Sequence, residues 1–455
     1  MSAASPRPAA LRYAVGALAT GTFGTVPGLL LLYYLTDTLD VPAAVASIVI
    51  VLPKAWDLVL HPWVGRRSDP AKGRSASRRT WMVAGGGALS FTFALLFMAP
   101  TPLGIASAAW TGAAFFLCAT AYSAFQVPYL AVLAEIAHDP AERVKLATWR
   151  TVLYGVAILL AGSAAPQLAH TASDERLGYA LVGVVFGALL LIGTLAAAFS
   201  APPAPSRPVG SGAHGMTFRQ QVRVARESQA FRRLLGVHVA QTLATGIMLA
   251  SAQYFATYQL QNPKATTPLF ACLIVPLLLT APLWQAMTRR SGHRNALVIS
   301  IILFVLGASA LVTTPLVPRI AAYAFVAVCG VGYAGMQTVA IALLGDTVAE
   351  DARLGGHNRG GAFTGLWTAG EVIGAGAGPA LFSLLLSATG FLPSSAGAPA
   401  TQPESALIGV LLGVSVLPAL VLLPALWCAW RLRRPSTPAE QPPVSAKTTL
   451  PLQSS

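Results

Sequence analysis

The chain has 455 residues, 55% of them hydrophobic and only 10% charged, against roughly 25% charged in soluble domains, so a soluble globular fold is excluded. Its formal net charge of +14 invites a nucleic-acid reading that the distribution rejects. With an even number of spans and both termini inside, 26 of the 30 Lys and Arg fall on the cytoplasmic side, three outside (Arg176, Lys264, Arg319) and one, Lys54, within the membrane.

That asymmetry is the positive-inside bias of a multi-pass protein of the cell (cytoplasmic) membrane with both termini cytoplasmic. The same charges attract anionic membrane lipid. The expected partners are therefore lipid and a small-molecule substrate, with no nucleic acid, and the protein is expected to be a monomer. Cys118, Cys272, Cys329 and Cys428 fall inside apolar runs without metal or redox spacing and read as small apolar residues.

Twelve apolar runs, each long enough to cross about 30 Å of hydrocarbon as helix, lie in order at about 12–35, 41–64, 80–99, 104–134, 147–169, 177–200, 233–259, 266–288, 295–314, 319–347, 360–389 and 404–430. A membrane β-barrel would instead alternate over segments of about ten residues. The expected fold is an all-α membrane protein, with twelve transmembrane helices in two pseudo-symmetric six-helix bundles. Residues 1–200 form the first bundle and 233–430 the second. Between them, 201–232 is a cytoplasmic inter-lobe linker, rich in Pro and Gly and then basic; 431–455 is a disordered cytoplasmic tail, rich in Pro, Ser and Thr. The first apolar run is a full span, not a short cleavable signal.

Taken in chain order, span one carries Thr20, Thr22 and Thr25, with Thr22 a candidate substrate contact. Span two holds Lys54, Asp57 and His61 in LPKAWDLVLHP. The first two are three residues apart on one helix face, and each charge at that depth costs several kcal/mol unless paired or wetted. Asp57 therefore reads as a cation-coupling carboxylate with Lys54 as its partner and His61, one turn on, as a proton relay. A structural ion pair is the plainer alternative. The loop after span two carries Asp69 among Arg66, Arg67, Arg74, Arg78 and Arg79.

Span four holds Tyr122 and Gln126, with Pro128 close by to free backbone carbonyls; its exit carries Glu135, Asp139, Glu142 and Arg143, and span five opens with Trp149 and Arg150. Span ten holds Gln337, and its exit carries Asp346, Glu350 and Asp351 ahead of Arg359. Span eleven holds Trp367 and Glu371, whose partner must come from another helix. Gln126, Tyr122, Trp149, Thr22, Gln337 and Trp367 are the expected substrate contacts, and Glu371 joins Asp57, His61 and Lys54 in cation coupling. Asp69, Glu135, Arg143, Arg150, Asp346 and Arg359 are the expected gating set, forming inter-lobe salt bridges on the cytoplasmic side. Solvated loops would explain the arginines but not the paired acids.

The chain also repeats itself. AYSAFQVPYLAVLAEIAHDPAE and GYAGMQTVAIALLGDTVAEDAR pair Tyr122 with Tyr333, Gln126 with Gln337 and Glu135 with Asp346, which lie 211 residues apart. GRRSD at 65–69 is echoed by TRRSG at 288–292. Duplication of a whole half-chain, with polar residues held mid-membrane, is the build of a two-lobed transporter.

PKAWDLVLHPWVGRRSD resembles the second span of the glycoside–pentoside–hexuronide:cation symporters, the melibiose permease family of the major facilitator superfamily. YYLTD (33–37), FQVPYLAVLAE (125–135), LLGDTV (343–348) and GLWT (365–368) are similar to that family's versions. The resemblance covers about residues 12–390 and implies a major facilitator fold working by alternating access, with sugar and cation sites between the lobes. Of that family's two span-two carboxylates, Asp57 keeps the first and His61 replaces the second. A hard cation prefers oxygen ligands, so the coupling ion expected is H+ rather than Na+. The family's sugar-binding carboxylates of spans one and four fall at Gly21 and Gln126. The expected function is proton-coupled symport of a small polar or glycoside-like solute; the rival is a proton-driven exporter of a drug, natural product or amphiphile. No Walker A loop, HExxH or GxSxG string occurs, so no enzyme, catalytic residue, metal site or cofactor is expected.

Overall fold

The computed structural model describes residues 8–68, 78–100, 104–136, 140–172, 174–201, 218–355, 360–395 and 400–432. The linker at 202–217 and the tail at 433–455 lie outside the described residues. In the first half α1 (Pro8–Tyr33) passes into a π-helical turn, Tyr34–Thr38, and the chain reverses at Asp40 with φ 57°. Then follow α2 (Ala43–Ser68), α3 (Arg78–Leu96), α4 (Ile105–Ile136), α5 (Pro140–Ala169) and α6 (Glu175–Ala198). A short amphipathic helix, α7 (Phe218–Glu227), precedes the second half and packs Val222 and Ala225 onto Phe231, Leu234 and Phe363. The second half comprises α8 (Gln229–Tyr254), whose own π-helical turn is Phe255–Gln259, α9 (Thr266–Leu279), α10 (Ala281–Ser291), α11 (His293–Ala310), α12 (Ile320–Gly355), α13 (Gly360–Ala388), α14 (Glu404–Val414) and α15 (Val416–Trp430).

Ten helical segments among the described residues are long and apolar enough to cross a membrane, and α9 with α10 makes an eleventh, bent by 51°. The remaining expected span, α3, has 19 residues and opens on Arg78 and Arg79, which lowers its mean hydropathy; it nonetheless packs between α4 and α6. One expected span is corrected. The run 266–288 is not one straight helix: it breaks at Thr280, whose N–H bonds the Pro276 carbonyl at 2.9 Å just ahead of Pro282, because a proline there cannot donate and restricts the residue before it. The run 404–430 stands as one span, Glu404–Trp430, with a local irregularity at Ser415.

Helix packing repeats between halves. In the first, α1 lies on α5 and α6, α4 on α2 and α3, and α3 on α6. In the second, α8 lies on α13 and α15, α12 on α9 and α11, and α11 on α15. Matching α8 to α1, α9 to α2, α11 to α3, α12 to α4, α13 to α5 and α15 to α6 reproduces every one of these pairs. Contacts between the lobes obey the same exchange: α1 meets α8, α2 meets α13, and α5 meets α9. Two six-helix bundles related by a pseudo-two-fold axis account for all of it.

Close approach inside each lobe uses glycine. A Cβ on Gly378 of α13 would sit 2.8 Å from Gly246 C, Ile247 N and Leu243 O of α8. Backbone atoms cannot yield as a flexible side chain can, so Gly378→Val lowers the melting temperature of the detergent-solubilised protein, by about 1–3 kcal/mol of overpacking. Gly87→Ala, where a Cβ meets open space, leaves melting unchanged or raised. Equal melting of the two variants would remove the packing argument.

Candidate functional site

Asp57 projects from α2 toward α4, where it is 2% exposed and accepts a hydrogen bond from Ser123 Oγ at 3.0 Å. Its neighbour Trp56 donates from its indole to Thr120 Oγ1 at 3.1 Å and stacks on Phe116. Two successive α2 side chains thus fix the carboxylate's register on α4. Lys54 and His61 act on Asp57 electrostatically. The Lys54 ammonium rests over the rings of Phe23 (5.2 Å) and Phe115 (5.6 Å), a cation–π arrangement. His61 Nε2 is buried and has no hydrogen-bond partner among the described residues.

Beside this cluster Tyr122 stacks on Phe23 at 4.4 Å, and Gln126 accepts from Thr20 Oγ1 at 3.0 Å. From the other lobe, Gln337 donates to Tyr333 at 2.9 Å. Glu371 is exposed although it lies within α13. The helix presents Gly370, Gly374 and Gly378 to α8, and Gly376 to Lys54 of α2; Glu371 occupies a third face. Arg150 and Tyr154 of α5, Tyr122 of α4 and Tyr333 of α12 are all within its electrostatic reach. Glu371 therefore looks into the space between the lobes, and the tyrosines paired by the sequence repeat both face it.

Other expected residues fall elsewhere. Trp149 is 44% exposed on α5, Thr22 is fully buried with its hydroxyl unpaired among the described residues, and Trp367 stacks on His238 at 3.7 Å inside the second lobe. Arg150 lies over the Tyr129 ring at 5.7 Å and along the inter-lobe space, not on the rim. The cause is the helix start: α5 begins at Pro140, so Arg150 lies about 15 Å along it. Asp346 meets His293 of its own lobe at 3.4 Å, and among the described residues it forms no inter-lobe bridge. Asp69 and Arg359 lie outside the described residues, as do the side chains of Glu135 and Arg143.

The lobes are joined by hydrogen bonds at the end of the bundle away from the start of α1 and the close of α15. There Tyr258 donates to Asp37 Oδ1 at 2.5 Å, and Thr36 Oγ1 lies 2.5 Å from the Tyr254 hydroxyl. Ser394 N–H donates to the Thr36 carbonyl, Asp40 N–H donates to the Ser394 carbonyl, and Ser383 Oγ donates to the Ala43 carbonyl. His170 Nε2 lies 2.9 Å from Gln253 Nε2, and Thr267 donates to the Ser163 carbonyl. Asp37 stands within YYLTD, to which the sequence attached no role; its partner in the opposite lobe, Tyr258, lies 221 residues away and left no local signal.

A family model for MFS/sugar transport proteins matches residues 12–434. The inner membrane symporter YicJ of Escherichia coli (strain K12) is 21% identical over 416 residues, covering 87% of this chain and 85% of that protein. The glucuronide carrier protein homolog of the same organism is 22% identical over 436 residues, covering 92% and 90%. Among solved structures, the nucleoside transporter NupG superposes with a TM-score of 0.69 at 12% identity, covering 94% of this chain and 100% of that one.

Two outcomes follow from this geometry. On a cysteine-free background, Glu371→Cys reacts readily with a water-soluble thiol reagent, whereas Asp57→Cys is protected; the reverse order would place the cavity wrongly. His170, just beyond α5, accepts from Gln253 only when neutral, and burial first, then Lys264, lowers its pKa below the usual 6.5. Unfolding lets it take a proton, so its contribution is fully present above about pH 6.5 and is lost as pH falls from there through its lowered folded-state pKa. The melting temperature accordingly drops between pH 7.5 and 5.5, and His170→Gln reduces the drop; an undiminished drop would assign it to other groups.

Proposed function

Because the chain belongs to the MFS/sugar transport protein family and is a multi-pass membrane transporter rather than an enzyme, we propose that it is a proton-coupled symporter of a small polar or glycoside-like solute, working by alternating access. The observation that carries this reading is Glu371, a carboxylate within a membrane helix that is open to the inter-lobe space and faced by Arg150 and the repeat-related Tyr122 and Tyr333. Ionisable groups at such depth line pathways or coupling sites.

Several features favour H+ over Na+. Around Asp57 the nearest groups are one hydroxyl, an imidazole and an ammonium, a poor oxygen cage for a hard cation. The solute would be held by Tyr122, Gln126 and Gln337, with Trp149 at the approach. The relatives named above are a symporter and a glucuronide carrier homolog, which supports a glycosidic solute. The mode of binding nevertheless departs from the resemblance: a Cβ at Gly21 would lie 2.7 Å from Ala157 Cβ and 2.9 Å from Tyr154 O. No carboxylate fits there, so neutral amides and phenols do the recognition. The Lys and Arg distribution favours cytoplasmic termini; in that orientation the hydrogen-bonded seam lies at the external face.

Reconstituted protein tests the reading. A panel of glycosides and hexuronides in proteoliposomes accumulates one solute class under an inward proton gradient and not under a Na+ gradient. Glu371→Gln reduces that accumulation by about 5- to 150-fold, the usual range for coupling between two ligands, while solute exchange at equal pH persists. Extrusion of apolar amphiphiles under the same gradient would establish the exporter instead, and accumulation driven by Na+ alone would overturn proton coupling.

A further inference from the structure

At the external seam, distant from the coupling cluster, we infer that Asp37 is a proton-binding gate residue: the outer gate closes with a proton on this carboxyl and opens when the carboxylate returns to water. The inference rests on the orientation proposed above, though not on the identity of the solute.

The carboxyl is 5% exposed. Its direct partners are hydroxyls alone: Thr36 Oγ1 at 2.6 Å on Oδ2 and Tyr258 at 2.5 Å on Oδ1, the second supplied by the opposite lobe. Among the described residues no cation acts on it. The charged or titratable groups facing it are Tyr33 of its own helix, Tyr254 and Tyr258 from the end of α8, and Tyr179 and Glu175 of α6. The phenols are neutral at working pH, and Glu175 repels a second negative charge. Arg176, next in sequence, turns its guanidinium to the Ala99 carbonyl at 2.7 Å. A desolvated carboxylate without a cation is the form that burial penalises.

The surrounding hydroxyls accommodate either protonation state. With the carboxylate ionised, Tyr254 donates to Thr36, Thr36 to Oδ2 and Tyr258 to Oδ1. With a proton taken from external water onto Oδ2, that O–H donates to Thr36 Oγ1, whose own hydrogen turns to the Leu32 carbonyl at 3.3 Å; Tyr258 continues to donate to Oδ1. No heavy atom has to move. Opening removes Tyr258 and Tyr254 to the other lobe, admits water and restores the affinity of an ordinary carboxylate, so the proton leaves to the outside solution. Closing therefore takes up one proton at this residue. His170, also at this seam, has the opposite sign: acid weakens its bond to Gln253 and favours opening.

The test needs no substrate. Spin labels at Ile105 and Leu316, exposed positions at the external ends of the two lobes, report gate width in nanodiscs by electron–electron distance measurement. The cysteine-free protein carries His170→Gln throughout. In the parent, the open-to-closed ratio rises with pH by up to about tenfold per unit, the limit for one linked proton. Asp37→Asn stays closed at every pH. Tyr258→Phe, which retains the carboxyl, weakens the closed state and moves half-opening to lower pH. An Asp37→Asn gate that titrates like the parent, a parent gate indifferent to pH, or an unshifted Tyr258→Phe each overturns the inference. Gate titration without proton-driven uptake would instead remove the symport reading and leave this one standing.

Discussion

A carboxylate inside a bilayer must find a hydrogen-bond donor, a cation or water, because hydrocarbon supplies none of them. Three acids within or at the ends of the helices meet that requirement differently, and the difference is which lobe provides the partner. Asp57 takes Ser123 from its own lobe. Glu371 shares its surroundings between lobes, with Arg150, Tyr122 and Tyr154 on one side and Tyr333 on the other. Asp37 takes Tyr258 from the opposite lobe. Rigid-body rocking leaves the first environment intact, changes the second in part and abolishes the third.

Rocking requires lobes that are individually stiff and mutually separable. Stiffness comes from close helix approach inside each lobe, as where Gly85 faces the Phe125 backbone and Gly332 faces the Phe304 backbone. Separability comes from seams that are symmetric: α2 on α13 and α5 on α9 exchange under the pseudo-two-fold, and α1 on α8 lies on its axis. Closure at one end then has a counterpart arrangement at the other, reached by exchanging the roles of the two halves.

Much of this was legible in the chain because duplication writes the fold twice. Tyr122 and Tyr333, matched by sequence alone, converge on one carboxylate, and the apolar runs locate the helices. What was not legible depends on distance or on helix boundaries. Apolarity marks a run as membrane-spanning without saying whether it is straight, so the break at Thr280 was missed although Pro276 and Pro282 flank it. Arg150 was assigned to the rim because its helix starts seven residues earlier than hydropathy suggested. Trp367 reads as an aromatic free to stack on a ring, yet it covers His238, 129 residues earlier in the chain. Asp37 was given no role, since nothing near it in sequence reveals that Tyr258 would cap it.

The departures from the resembling family follow from packing. At Gly21 the helix backbones of α1 and α5 are in near contact, so the absent carboxylate is a consequence of how closely those helices pack, and restoring it would force them apart. At Gln126 the amide is already engaged by Thr20 and presents hydrogen-bonding capacity without charge. On the proposed reading, solute recognition and ion coupling are thereby separated: neutral groups on α4 and α12 contact the solute, while the titrating acids stand on α2, α13 and the outer end of α1. A protein built this way can change its solute by altering amides and phenols while its proton chemistry stays fixed, because no single carboxylate has to serve both tasks.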